Sequence, residues 1–235
     1  LDMSTLLKGS LGLLGAGSAT TAGAIYLGTD IFKSKEDKKV SISKLLKTSN
    51  PEKRLITSSQ ASDGDWKEAW KNYRVANKGK KLNEDEWKLS GWVTPQDGNI
   101  TNTENASDSF MNTCSINKDK EVSGTDDPLY KAVLVYCTRS TLVSDLISDN
   151  YPNKKILTSA NNDDAGWKEA WTQYKTDNSG KSTQNSDAWQ LAGWPTSTPD
   201  TVLESFKTKC GEKVKVATFK TDNEDYTNAV KWCTK

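Results

Sequence analysis

The sequence predicts an all-α protein: two tandem homologous small helical domains, each stapled by one disulfide, behind an N-terminal hydrophobic helix. Three observations carry this reading. Trp66-Lys67-Glu68-Ala69-Trp70 recurs letter for letter as Trp167-Lys168-Glu169-Ala170-Trp171, 101 positions later. Cys114 and Cys137 lie 23 apart, and so do Cys210 and Cys233. The stretch from Gly9 to Thr29 is 21 residues long and carries no charge. The chain therefore divides into residues 1–39, a hydrophobic anchor or signal with a Lys-rich linker; 40–140, the first repeat; and 141–235, the second.

Taken in order, the uncharged N-terminal stretch is about as long as a helix needs to cross the roughly 30 Å hydrocarbon core of a bilayer. Lys8 precedes it, and Lys33, Lys35, Lys38 and Lys39 follow. Three readings stand: a membrane anchor; a cleaved signal peptide, for which Ala22-Gly23-Ala24 supplies a small-x-small site; and a Gly/Ala-rich helix with no membrane role. The lysines after the stretch argue that this side stays inside the cell. The cysteines argue for an oxidising exterior. The expectation follows the cysteines: the protein sits at the cell membrane with its repeats outside, or is secreted after cleavage.

The repeats align over their whole length. Arg54-Leu55-Ile56-Thr57-Ser58 faces Lys155-Ile156-Leu157-Thr158-Ser159, and Trp87, Gly91 and Trp92 face Trp189, Gly193 and Trp194. Phe110 and Cys114 face Phe206 and Cys210. The offset runs 101, 102 and then 96, so only two small length changes separate the copies. The larger falls in residues 96–103, a run of turn-forming residues of the kind that surface loops tolerate. A period of this size exceeds a solenoid unit of about 20–50 residues and suits a small domain.

Within each repeat, Ser43 to Lys47 predicts a short opening helix. Trp66, Trp70 and Tyr73 are spaced as one helical stripe, repeated by Trp167, Trp171 and Tyr174. Asp63 or Asp65 can cap the start of that helix, and Gly79 or Gly180 can end it. A short helix is expected to carry Trp87 and Leu89 up to Gly91, and Trp189 up to Gly193. Two more are expected around 107–117 and 127–138, the second with Tyr130, Val133, Leu134 and Cys137 on one face. The tryptophans, together with Trp92 and Trp194, are read as the core of a domain small enough to need large aromatics and a staple. Trp232, where the first copy has Tyr136, is expected to be partly exposed. The competing reading gives the indoles a ligand role, stacking on a glycan or a porphyrin.

Duplication favours one bridge inside each repeat, Cys114–Cys137 and Cys210–Cys233, among the three pairings four cysteines allow. The alternative is four buried thiols. Zinc is disfavoured, because no cysteine has a near-neighbour ligand and the chain has 0 His. The missing histidines also remove Ser-His and Cys-His schemes. Neither a glycine-rich phosphate loop nor another catalytic signature occurs. Acidic pairs such as Asp126-Asp127 and Asp163-Asp164 stand where helices begin, and read as caps rather than as a catalytic pair. Lys+Arg number 32 against 31 Asp+Glu, and the repeats alone are neutral, so no basic field points to nucleic acid. Catalytic, cofactor and metal residues are all expected to be none.

Several of these residues also carry a resemblance. Met3-Ser4-Thr5-Leu6-Leu7-Lys8-Gly9-Ser10-Leu11-Gly12 with its Lys-rich sequel, Lys53-Arg54-Leu55-Ile56, Trp66-Lys67-x-Ala69-Trp70-x-x-Tyr73, Trp87 to Trp92 and Tyr136-Cys137-Thr138 resemble a large paralogous group of membrane and surface proteins in haemotropic mycoplasmas. The likeness covers nearly the whole chain. It implies surface exposure and a part in antigenic variation, with a host surface protein or an antibody as partner. It brings no catalytic residues with it.

Overall fold

The computed structural model describes residues 39–96, 98–159, 163–195 and 201–235. The N-terminal anchor or signal expected in residues 1–38 lies outside the described residues. The fold is mostly helical. Strand β1 (Val40–Ser41) leads into α1 (Ile42–Ser49), β2 (Lys53–Leu55) and α2 (Gly64–Ala76). A long irregular stretch then reaches α3 (Asp108–Asn117), β3 (Glu121–Val122), α4 (Pro128–Tyr136) and β4 (Thr138–Ser140). The second half runs α5 (Val143–Asn150), α6 (Asp164–Asp177), α7 (Glu204–Lys213) and α8 (Glu224–Trp232). Among the described residues no helix is long and apolar enough to cross a membrane.

The all-α expectation is met in part and one helix is corrected. Besides the helices there are short strands, β1 pairing antiparallel with β3 and β2 with β4. Strands of two or three residues are too short to show alternation in a sequence. The helix expected around Trp87 is absent, and residues 81–92 form a chain of turns. In a helix the Leu89 N–H would bond the Asp85 carbonyl; here Lys88 N–H takes that carbonyl (3.0 Å) and Leu89 N–H donates to the Asp85 carboxylate (2.9 Å). Lys88 then turns out of the helical region at φ 51°, as Gln190 does at φ 51° in the second copy. Side-chain bonds to the backbone have displaced the helix here.

The other helices form for local reasons. Asp63 caps α2 by accepting from Asp65 N–H (2.9 Å), and Asp163 caps α6 by accepting from Gly166 N–H (3.0 Å). Asp127 caps α4 through Leu129 N–H (2.8 Å), with Pro128 at the first turn, where its missing N–H costs nothing. Both Trp helices stop before a glycine in the left-handed region, Gly79 at φ 76° and Gly180 at φ 84°, which glycine adopts without strain.

Each half buries its own apolar cluster. One gathers Ile42, Trp66, Trp70, Tyr73, Phe110, Tyr130 and Val133. The other gathers Val143, Trp167, Trp171, Tyr174, Phe206, Tyr226 and Ala229. The backbone repeats as well. Ser41 pairs with Glu121 as Leu142 pairs with Ala217, and Leu55 pairs with Thr138 as Ile156 pairs with Thr234. The strands of the first half thus shrink to single bridges in the second.

The halves meet at Thr141, which is 1% exposed. Its N–H donates to Glu52 O (2.9 Å) and its hydroxyl to Pro51 O (2.7 Å), while its carbonyl accepts from Thr218 N–H (2.9 Å). Beside it Arg139 grips Asp145 with two bonds, Nη1 to Oδ2 (2.6 Å) and Nη2 to Oδ1 (2.9 Å). Arg139 also lies 3.4 Å from Asp65, and Arg54 pairs with Asp149. Burial opposes the charge on Asp145, but the Arg139 guanidinium and the Leu142 N–H overcome it and hold the carboxyl below the usual range. A depressed carboxyl stabilises the fold above its unfolded pKa and stops doing so as pH falls through its folded value. We therefore predict that Asp145→Asn destabilises by about 1–2 kcal/mol near neutral pH. The deficit should close as pH falls below about 4, which urea melts across that range would read. A deficit that persists unchanged into acid would show that Asp145 acts through packing, not charge.

Candidate functional site

The sequence points to the aromatic residues, and the structure turns them on one another. Tyr73 is 0% exposed. It stacks on Trp70 (5.9 Å, 10°), meets Trp92 edge-on (5.6 Å, 86°), and touches Phe110 (5.3 Å), Trp87 (5.1 Å) and Tyr136 (5.1 Å). Tyr174 repeats this with Trp171 (5.7 Å), Trp194 (5.8 Å), Phe206 (5.2 Å), Trp189 (5.3 Å) and Trp232 (4.9 Å). Trp66 and Trp167 flank the box against Phe110 and Phe206. These ring faces are turned largely on one another.

Trp232 does not have the expected exposure: it is 4% exposed. Its indole N–H donates to Asp177 Oδ2 (2.7 Å), so the ring can be buried while its polar edge is satisfied. Tyr136 solves the same problem differently. Burial, helped by the Glu86 carboxylate that its hydroxyl faces, pushes Tyr136 up to about 12.

A polar lock inside the box went unread in the sequence. The Tyr73 hydroxyl donates to Asp85 Oδ2 (2.7 Å) and accepts from Trp87 N–H (2.9 Å). Asn77 Nδ2 donates to Tyr73 O (2.9 Å), and its Oδ1 accepts from Glu86 N–H (2.8 Å). The second copy matches: Tyr174 hydroxyl to Asp187, Trp189 N–H to the Tyr174 hydroxyl (3.0 Å), and Asn178 to Tyr174 O (2.9 Å) and from Ala188 N–H (2.8 Å). Trp92 Nε1–H donates to Lys80 O (2.8 Å) and Trp194 Nε1–H to Lys181 O (2.8 Å), fastening the far end of each turn. Burial, and then the bonded carboxylate, push both locked tyrosines far above the ordinary phenol range. The signal was in the duplication, which keeps Asn77 with Asn178 and Asp85 with Asp187 in register. Those residues pass for turn chemistry on their own.

Cys114 and Cys137 are bonded, with Cα atoms 5.5 Å apart, and so are Cys210 and Cys233 at 5.4 Å. Each bridge ties α3 to α4 or α7 to α8. The acidic pairs sit at helix starts: Asp127 and Asp163 are caps, and Asp126 faces Lys131 (3.4 Å). Among the described residues no three His, Cys, Asp or Glu side chains converge as a metal site would require.

The aromatic box meets open space where Trp70 and Trp92 border a cavity of about 550 Å³, walled by Arg74, Ile100 and Glu104. Arg74 is 7% exposed. It donates to Thr101 O (2.7 Å), pairs with Glu104 (2.5 Å) and lies 5.9 Å from the centre of the Trp70 ring. One wall comes from the loop by which the first repeat exceeds the second. No protein-family model, curated protein or solved structure matches the chain.

The lock yields a direct prediction. Tyr73→Phe keeps the ring but strips the donor from Asp85, a residue only 1% exposed whose Oδ1 already lacks a partner. It should destabilise by about 1–3 kcal/mol, the cost of a buried polar group left unsatisfied. Tyr174→Phe should cost as much in the second half. Unchanged denaturant midpoints for both variants would remove the lock from the account.

Proposed function

We propose that the chain is a membrane-anchored surface protein whose two tandem helical domains, folding around separate cores, meet host molecules or antibodies and carry out no catalysis. The observation that carries this reading is the pair of disulfides, one within each core, since such bonds persist in oxidising spaces outside the cell. The uncharged stretch from Gly9 to Thr29 supports an anchor, and the likeness to surface proteins of haemotropic mycoplasmas supports the setting. The box spends its aromatics on packing, which leaves recognition to loops and helix faces. Protease shaving of intact cells, followed with an antibody against the second repeat, tests the proposal. Loss of signal with unbroken membranes is the expected result, and full protection would refute it.

A second reading, ligand capture, is favoured by the cavity beside Trp70 and Trp92. Its volume falls in the range of about 300–1,000 Å³ usual for small-molecule sites. A glycan or porphyrin held there is expected to change tryptophan fluorescence saturably, and titrations flat for both classes would dispose of it.

A further inference from the structure

The surface between the two halves carries an inference that goes beyond the reading above and holds wherever the repeats reside. A cleft of about 400 Å³ opens there, lined from the first repeat by Lys47, Lys53, Arg54, Leu55 and Arg139, and from the second by Asp145, Leu146 and Phe219. Its charges are lopsided. Of the acids nearby, Asp145 is taken up by Arg139 through two hydrogen bonds and Asp149 by Arg54. Lys47 and Lys53 form no ion pair among the described residues; Glu52, beside Lys53, is held by Asn50 Nδ2 (2.8 Å). Arg54 Nε is buried without a hydrogen-bond partner, a costly state for a charged group. Phe219 is 44% exposed although it faces the cleft.

We propose that this cleft binds a small amphipathic anion, a carboxylate on an apolar chain. The head group meets Lys47 and Lys53 beside Arg54, whose guanidinium pairs with Asp149, and the chain lies along Leu55 and Phe219. Each part answers an observation. The unpaired ammonium groups call for a negative charge, and the exposed phenyl ring calls for apolar cover. The concave shape and modest volume suit one small molecule. A bilayer would need a protruding cationic face, and a protein partner buries about 800 Å² on each side. Arg139 is a positioning residue: saturated by Asp145, it holds the two walls together without meeting the ligand.

The test is calorimetric titration of the full chain with octanoate, with octanol and octylammonium as controls. Octanoate should bind at one site per chain, with octanol at least tenfold weaker and octylammonium not bound. Lys47→Gln combined with Lys53→Gln should weaken octanoate at least tenfold without lowering the melting temperature, since neither lysine has an ion pair to lose. Phe219→Ala should weaken octanoate and octanol alike. The proposal is overturned if octanoate shows no saturable binding, if octanol binds as well as octanoate, or if the folded double-lysine variant binds octanoate unchanged.

Discussion

The hydrogen bond from the Tyr73 hydroxyl to Asp85, mirrored by Tyr174 and Asp187, is the contact on which the rest of each half depends. The chain between the Trp helix and Trp92 or Trp194 has almost no regular secondary structure. Its backbone groups must still be satisfied where they are buried. Asp85 does this from inside, taking the Leu89 N–H, while Asn77 takes the Glu86 N–H. Fixed in this way, the turn delivers Trp87 and Trp92 onto the faces of Tyr73, and Phe110 closes the box from α3. Without the lock, two indoles would hang on a loop whose left-handed residues Asn83 and Lys88 are unfavourable in themselves.

A second constraint is size. A unit of roughly 100 residues buries too small a fraction of its surface to be comfortable. The solution is a few very large side chains at the centre and one covalent tie at the edge. Each disulfide closes a loop of 23 residues, a constraint on the unfolded chain worth about 3 kcal/mol on an entropic estimate. The tie also sets up the backbone path. Cys137 O accepts from Ile56 N–H (3.0 Å) and Cys233 O from Leu157 N–H (2.9 Å), so the end of the last helix returns to the start of the repeat. From there the first repeat passes straight into Thr141 and the junction.

What could be read in the sequence and what could not divide along physical lines. The Trp stripe was legible because aromatic residues at helical spacing, written twice, leave one economical interpretation. The cysteine pairing was legible because a duplicated unit copies its own staple. That helices start near Asp63 or Asp65 and at the Asp126-Asp127 pair was legible from cap chemistry, though not which acid of each pair is the cap. The turn at 81–92 was not, because Trp87 and Leu89 ahead of a glycine imitate the end of a short helix, and only the burial of Asp85 reveals where the N–H groups go. Trp232 was misjudged because its satisfaction depends on Asp177, 55 residues away. Arg139 was invisible for a related reason. Its partner Asp65 lies far back in the same repeat, and Asp145 stands just beyond the boundary drawn between the repeats, so no repeated motif encodes the contact. The cavities lie between elements, so no single segment announces them.

The comparison within the chain shows where the two copies were free to change. The box, the lock and the staple persist almost position for position, since altering any one exposes a buried donor, an acceptor or an indole edge. Outside them the copies diverge sharply. Val75 and Val135 stand 52% and 54% exposed on α2 and α4. The matching positions are Thr176 and Lys231, which line a cavity with Lys154, Lys168 and Lys235. Two exposed valines of the first repeat are thus a threonine and a lysine in the second, beside basic residues that the first repeat also has as Lys53, Lys67 and Arg139. The loop bordering Trp92 is longer in the first repeat, and Arg139, the clamp of the junction, becomes Lys235 paired with Asp163. A scaffold whose interior is pinned by the same polar lock and bridge in each repeat can accept such changes at little cost in stability, because surface substitutions away from caps and buried contacts typically move it by no more than about 0.5 kcal/mol. The interior therefore fixes the fold, and the chemistry that tells one repeat from the other lies on the helix faces, the long loop and the cleft between them.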